Sequence, residues 1–281
     1  MNTNILTAIL NIVENPITEL RTFYQSRNRA NSMGESLENY IKDLFANTFN
    51  INDEQSRIIK FEDTFSYQGN QNNPPDIIIK GGDAIEVKKI ESAGSSLALN
   101  SSYPKAKLFS TSPMITIACR DCEDWQEKDI LYAIGVVNKN KLSRLFFVYG
   151  VDYAASAEIY ERIKTTISSA VTAAPDVEFA ETTEIGRVNR VDPLGITYLR
   201  IRGMWGIENP AKVFSYIYRP TGAKFEFVAV INNEKYYSFP IEDRTKIESL
   251  LSSNLKISDV KIKTPDNPSI LKDAKLITFS K

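Results

Sequence analysis

Asp76, Glu86 and Lys88 fall within one short stretch, QNNPPDIIIKGGDAIEVKKIES, and are residue types that can hydrolyse a phosphodiester together. Two carboxylates held close repel each other, and a divalent cation relieves the repulsion by accepting an oxygen from each. Magnesium keeps several waters, and a water bound to it is a better nucleophile. A nearby ammonium can orient that water or offset charge growing on a phosphate oxygen. Asp76, Glu86 and Lys88 are therefore the candidate catalytic set, with Asp76 and Glu86 as candidate Mg2+ ligands. The competing reading is a solvated strand face carrying a surface Glu86–Lys88 pair.

The residues meet only if the hairpin has the right register. Side chains alternate faces along a strand, so Glu86 and Lys88 share one face while Val87 points the other way. A two-residue turn at Gly81-Gly82 would set Asp76 opposite Val87, on the wrong face. A loop with an odd number of residues sets it beside Glu86 or Lys88, and this is the expected geometry.

Composition narrows the remaining chemistry. The chain of 281 residues has no histidine, which excludes histidine general bases and Ser-His-Asp or Cys-His catalysis. Its two cysteines, Cys119 and Cys122 in CRDC, lack the second ligand pair that a structural zinc site needs, and read as reduced thiols. The run ILTAILNIV is broken by Thr7 and Asn11 and is too short to span a bilayer, and no basic segment precedes it. A cytoplasmic protein with no membrane partner is expected.

The elements that must position these residues follow from periodicity. Residues 2–13 and 16–25 read as helices, the second opened by Asn15-Pro16. In SMGESLENYIKDLFAN, Met33, Leu37, Tyr40, Ile41, Leu44 and Phe45 form one apolar stripe, and Ser32 and Glu35 have capping-box spacing. Glu38 borders that stripe and is a candidate third metal ligand, against the plainer reading of a helical Glu38–Lys42 pair. Residues 57–66 and 76–89 read as strands, and 92–112 as a mixture of short helix and loop. ILYAIGVV and LFFVYG read as strands, SAEIYERIKTTISSAV as a helix, and KVFSYIY and KFEFVAVI as a hairpin around RPTGA. A helix near 241–252 and a strand at LITFS close the chain.

Strands and helices mix without strict alternation, so the fold class is α/β: a mixed central β-sheet flanked by helices. A single domain over 1–281 is expected. Residues 1–175 would form a core with the N-terminal helices, and 176–281 would complete the sheet and add recognition elements.

Pro75-Asp76 and Glu86-Val87-Lys88 resemble the signature of the PD-(D/E)XK nuclease superfamily. The wider chain is similar to the NgoPII-type restriction endonucleases, through QNNPPDIIIKGGDAIEVKKIES, LALNSSYPKAKLF, CRDCEDW and LRIRGMWGIENPAKVF. The resemblance implies a restriction-endonuclease-like core and magnesium-dependent cleavage of both strands of DNA at a short GC-rich palindrome, GGCC for the family's namesake. It also implies a partner methyltransferase encoded nearby. In the superfamily an early helix often adds a glutamate to the metal site, and Glu38 matches that position.

The residues themselves agree in kind with double-stranded DNA as partner. Between Arg187 and Lys224 seven basic residues face two acids, Asp192 and Glu208, in a chain of net charge −1. Arg200 and Arg202 share a strand face and suit bidentate reading of guanine, or contact with phosphates. Arg187 and Arg190 are further DNA contacts. Asn100, Ser101, Ser102 and Tyr103 are placed to line a DNA cleft, with Lys105 and Lys107 meeting the backbone. Arg27 and Arg29 are candidate phosphate contacts, whereas Trp205 reads as a packing residue. A palindrome is read most simply by a homodimer, for which the N-terminal helices are candidate surfaces. Two other readings stay open: a repair or recombination nuclease with the same core, and a DNA-binding module with a degenerate nuclease fold.

Overall fold

Several helix starts in this chain are set by side-chain caps. Asn4 caps α1 (Ile5–Glu14) by accepting from the N–H of Leu6 at 2.8 Å. After α2 (Leu20–Gln25), Ser32 and Glu35 complete the expected capping box at the start of α3 (Met33–Ala46). Asp53 caps α4 (Glu54–Thr64), accepting from the Ser56 N–H at 2.8 Å. The computed structural model describes residues 3–27, 29–30, 32–70, 73–99, 101–138 and 140–281.

α4 occupies most of the segment read as a strand. Ile58 and Ile59 suggested a β run, yet both are exposed, and the buried residues Arg57 and Phe61 repeat at helical spacing. The strand begins only at β1 (Phe65–Asn70) and turns into β2 (Asn73–Ile79) and β3 (Ala84–Ile90). Among the described residues, the region 92–112 holds no helix: its elements are the short strands β4 (Leu97–Ala98) and β5 (Lys107–Phe109). The helix α5 (Ile117–Arg120) follows, and then β6 (Glu127–Asn138) and β7 (Lys141–Tyr149) form the expected pair.

α6 (Ala157–Thr172) leads to a small ribbon of β8 (Gly186–Val188) and β9 (Leu199–Ile201), and then to β10 (Gly206–Ile207). KVFSYIY is not a strand. Asn209 caps α7 (Pro210–Val213) with proline in its first turn, and Phe214 and Tyr218 bury at helical spacing beyond it. β11 (Glu226–Asn232), α8 (Asn233–Ser238), α9 (Ile241–Ser249), β12 (Leu255–Lys263) and β13 (Leu271–Ser280) complete the chain.

The central sheet is mixed, in the order β1-β2-β3-β6-β7-β11-β13-β12, with β5 also paired to β6. β3 lies parallel to β6 and β11 parallel to β7, and the other pairs are antiparallel. Strands β11 to β13 thus complete a sheet begun near the N-terminus. Ile77, Ile79 and Ile85 pack on one face with α1 and α3, while Ile78, Ala84 and Ile90 pack on the other with Tyr132 and Ile134. Each of these buried isoleucines contributes about 1.5–3 kcal/mol. Ile5 to Ile12 of α1 are almost all buried within the chain, which removes this helix as a dimer surface. Among the described residues, no helix is long and apolar enough to cross a membrane.

The β2–β3 register has the expected parity. Ile78 pairs with Ala84 and Ile77 with Ile85, and the Ile79 N–H donates to the Asp83 carbonyl at 3.0 Å. The loop is therefore Lys80, Gly81 and Gly82, with Gly81 at φ +63°, a conformation glycine adopts without strain. Continuing that register sets Asp76 opposite Glu86.

β1 reaches β2 so closely that a Cβ on Gly69 would press into the carbonyl oxygens of Asn73 and Pro75. Gly69→Ala is expected to destabilise the fold by about 1–3 kcal/mol, the size of a forced backbone shift. A melting temperature equal to that of the unaltered protein would contradict this contact.

Candidate active site

Asp76 on β2 and Glu86 and Lys88 on β3 converge. The Asp76 carboxylate accepts a hydrogen bond from the Val87 N–H at 2.6 Å, so it reaches β3 between the other two residues. Lys88 Nζ donates to Glu86 Oε1 at 2.5 Å. Burial, followed by the charge of Glu86, pushes the Asp76 carboxyl up to about 7, against the opposing pull of Lys88 and the Val87 N–H. Burial also works against the Lys88 ammonium, but Glu86 and Asp76 outweigh it and hold the amine above its ordinary value. A surface Glu–Lys pair would show none of this crowding.

The three residues lie in a cleft of about 980 Å³ walled by the start of α3, the β1–β2 turn and the loop 99–105. Ser101, Ser102 and Tyr103 line it as expected, Lys105 lines it too, and Lys107 lies outside the lining and pairs with Glu127 at 2.6 Å. Asn100 lies outside the described residues.

Glu38 also lines the cleft, and its charge adds to the pressure on Asp76. Its carboxylate, however, is held by Lys42 Nζ at 2.7 Å, the helical pair of the plainer reading. Among the described residues, no group of three or more His, Cys, Asp or Glu side chains is arranged to hold a metal ion. The structure therefore brings two of the three expected ligands together and leaves Glu38 out. Two crowded carboxylates still fit magnesium, which binds through one or two carboxylates and keeps water elsewhere.

The hairpin is held by contacts that periodicity does not reveal. Glu123 Oε2 accepts from the Gly81 N–H at 3.0 Å and also pairs with Lys128, whose Nζ donates to the Gly82 carbonyl at 2.8 Å. This gives the CRDCEDW segment a role: its glutamate grips the turn. Asp83 is more than a turn residue, because it accepts from Tyr149 Oη at 2.7 Å and pairs with Lys235 at 2.6 Å. Lys235 pairs with Asp129 as well, at 2.7 Å. Asp83 and Lys235 are 152 residues apart, beyond any local signal.

Arg187, Arg190, Arg200 and Arg202 gather on or beside the β8–β9 ribbon, outside the cleft lining. Arg200 and Arg202 share a face, and both bind Glu184, at 2.5 and 2.7 Å. Glu184 lies just before the basic window counted in the sequence, so the local positive excess is smaller than it appeared there. Arg187 donates to Asn189 at 2.9 Å and stacks over Tyr198 at 5.2 Å, while Arg190 sits at φ +52°. Arg27 stacks on Phe23 at 3.7 Å, and Arg29 is buried against Glu54 and the Ile51 carbonyl, which removes it as a phosphate contact.

The ribbon is joined to the cleft wall. β10 pairs with β4, and the Leu99 N–H donates to the Trp205 carbonyl at 2.8 Å. Tyr103 stacks on Tyr160 at 5.2 Å and meets Trp205 edge-on at 6.1 Å, so Trp205 packs as expected.

The model of the NgoPII restriction endonuclease family matches residues 3–263. The chain belongs to that family. It is 54% identical over 278 residues to the type II restriction enzyme NgoPII of Neisseria gonorrhoeae, covering 98% of this chain and 99% of the relative. No solved structure matches the chain. Membership makes this a restriction endonuclease, a class of enzyme that generally needs a divalent metal. The mixed sheet with flanking helices agrees with a restriction-endonuclease-like fold.

The crowded carboxylates have a consequence for the metal-free protein. The Asp76 carboxyl has a folded value near 7 against 3.8 for the free side chain, so ionising it costs stability progressively as pH rises across that interval. Asp76→Asn in EDTA should therefore melt close to the unaltered protein near the lower limit. It should gain on the order of 2–3 kcal/mol above the upper one. Equal melting temperatures at alkaline pH would show that the two acids are not crowded.

Proposed function

We propose that the protein cuts both strands of DNA at a short GC-rich, GGCC-like palindrome with magnesium, acting as a homodimer in the cytoplasm. The observation that carries this reading is the convergence of Asp76, Glu86 and Lys88 on one sheet face within an open cleft, in a chain of this family. Asp76 and Glu86 would hold the cation, which supplies a polarised water and positive charge beside the scissile phosphate. Glu38, tied to Lys42, adds negative potential rather than a third ligand.

The protein groups then have separate tasks. The Val87 N–H keeps the Asp76 carboxylate turned towards Glu86. Lys88, anchored by Glu86, presents its remaining ammonium protons to the attacking water or a phosphate oxygen. Water adds to phosphorus as one phosphorus–oxygen bond of the backbone breaks. With no histidine in the chain, proton movement falls to these carboxylates, the lysine and solvent.

Arg187, Arg190, Arg200 and Arg202 supply the DNA contacts of the ribbon, and Ser101, Ser102 and Lys105 those of the cleft wall; Asn100 is a further DNA-contacting residue. Arginine reads guanine bidentately, which suits a GC-rich site, provided Arg200 and Arg202 exchange Glu184 for the base edge. Two-fold symmetry of a palindrome is met by two copies of the chain, each cutting one strand. A methyltransferase modifying the same site is the functional partner and is expected in the adjacent genes.

Digestion of a plasmid with magnesium should give discrete bands. A smear, or cutting that depends on flaps or branches, would instead indicate a repair-type nuclease. Lys88→Ala should slow cleavage by at least about 100-fold, the loss typical of one positioned transition-state donor. Binding to the same site should survive, and cleavage at full rate by this variant would remove Lys88 from the mechanism.

A further inference from the structure

Three lysines line the cleft, and they are held differently: Lys89 pairs with Glu91 at 3.1 Å, away from the candidate catalytic set. Lys88 is already engaged, 2.5 Å from Glu86 Oε1. Lys105 has no hydrogen-bonding or ion-pair partner for its ammonium among the described residues, although it is largely screened from solvent. Burial depresses its ammonium below the ordinary lysine value, and the charges of Glu86 and then Cys119 offset this only in part. A partly desolvated cation with no counter-ion is costly unless a ligand supplies the missing charge.

The backbone under Lys105 is fixed. Tyr132 Oη accepts from the Lys105 N–H at 2.8 Å and donates to the Lys105 carbonyl at 3.2 Å, using its single proton and one lone pair. Tyr132 is the cross-strand partner of Glu86 in the parallel β3–β6 pair. On the far side, Gly150 approaches so closely that a Cβ there would strike the carbonyl oxygens of Lys105 and Ala106. Lys105 is thus tied to the same point in the sheet as the candidate catalytic glutamate.

We propose that Lys105 is a second catalytic cation, whose ammonium holds a non-bridging oxygen of the scissile phosphate while Lys88 serves the attacking water. This assigns it to the reacting phosphate rather than to the flanking DNA backbone, and it rests on the nuclease reading above. The division of labour follows from the pairing: Glu86 restrains Lys88 beside the candidate metal ligands, whereas Lys105 is free to meet an incoming anion across the cleft.

The test uses a duplex containing the site mapped from the plasmid digest, with single-turnover cleavage in magnesium at saturating enzyme. Binding of the same duplex is measured with calcium. Lys105→Met should slow the cleavage step by about 100-fold while affinity changes by only about 3-fold, and Lys105→Arg should recover part of the rate. Each phosphorothioate diastereomer at the scissile position provides the second readout. One diastereomer should slow the unaltered enzyme, and that penalty should shrink in Lys105→Met because the contact to the replaced oxygen has already gone. Full rate at saturation with weakened binding would make Lys105 a backbone clamp and overturn the proposal, as would an undiminished sulfur penalty. Melting curves check folding; should the methionine variant unfold, Lys105→Gln and Tyr132→Phe carry the same comparison. Failure of the unaltered protein to cut any DNA would sink the nuclease reading itself, a different outcome from an active enzyme indifferent to Lys105.

Discussion

The forced proximity of two carboxylates, Asp76 and Glu86, is the interaction around which the candidate site is organised. Left alone in a partly buried cleft they repel, and one of them resists ionisation. The fold offsets this with a directed backbone N–H from Val87 and an ammonium from Lys88. It supplies enough to hold the groups in place but not enough to neutralise them. A divalent cation accepting an oxygen from each acid would relieve that same repulsion.

Much of the surrounding structure serves to keep that pair from relaxing apart. Glu123 and Lys128 hold the backbone of the β2–β3 turn, while Tyr149 and Lys235 hold Asp83 at the root of β3. Tyr132 carries the restraint across to the loop on the opposite wall. The β8–β9 ribbon is not free-standing either, because β10, which follows it, is paired to β4 and Trp205 packs against Tyr103 and Tyr160. The elements that would meet DNA and those that would cut it share one continuous set of contacts.

The hairpin was legible because its information is local: the turn glycines, the isoleucine run and the alternation of Glu86, Val87 and Lys88 all lie within a few residues of one another. The capping box of α3 and the β6–β7 pair were legible for the same reason. α4 was misread because Ile58 and Ile59 look like a strand, while Arg57 is buried through its bonds to Asp43 and Asn39, a fact of tertiary structure. α7 was missed although Asn209-Pro210 carried its start signal. Glu184 escaped notice because it stands outside the basic stretch whose arginines it binds, and Tyr132 because its partner lies 27 residues away. Glu38 shows the limit from the other side: its position on the helix was correctly judged, but the choice between Lys42 and a metal depends on the competing charges nearby.

The three-residue loop between Ile79 and Asp83 also constrains how this protein can diverge. Inserting or deleting a single amino acid there would invert every downstream side chain of β3, sending Val87 into the cleft and Glu86 into the apolar layer. A change of two would preserve orientation and merely slide the partners. Relatives that retain the chemistry should therefore differ in this turn by even steps, whatever residues they place in it.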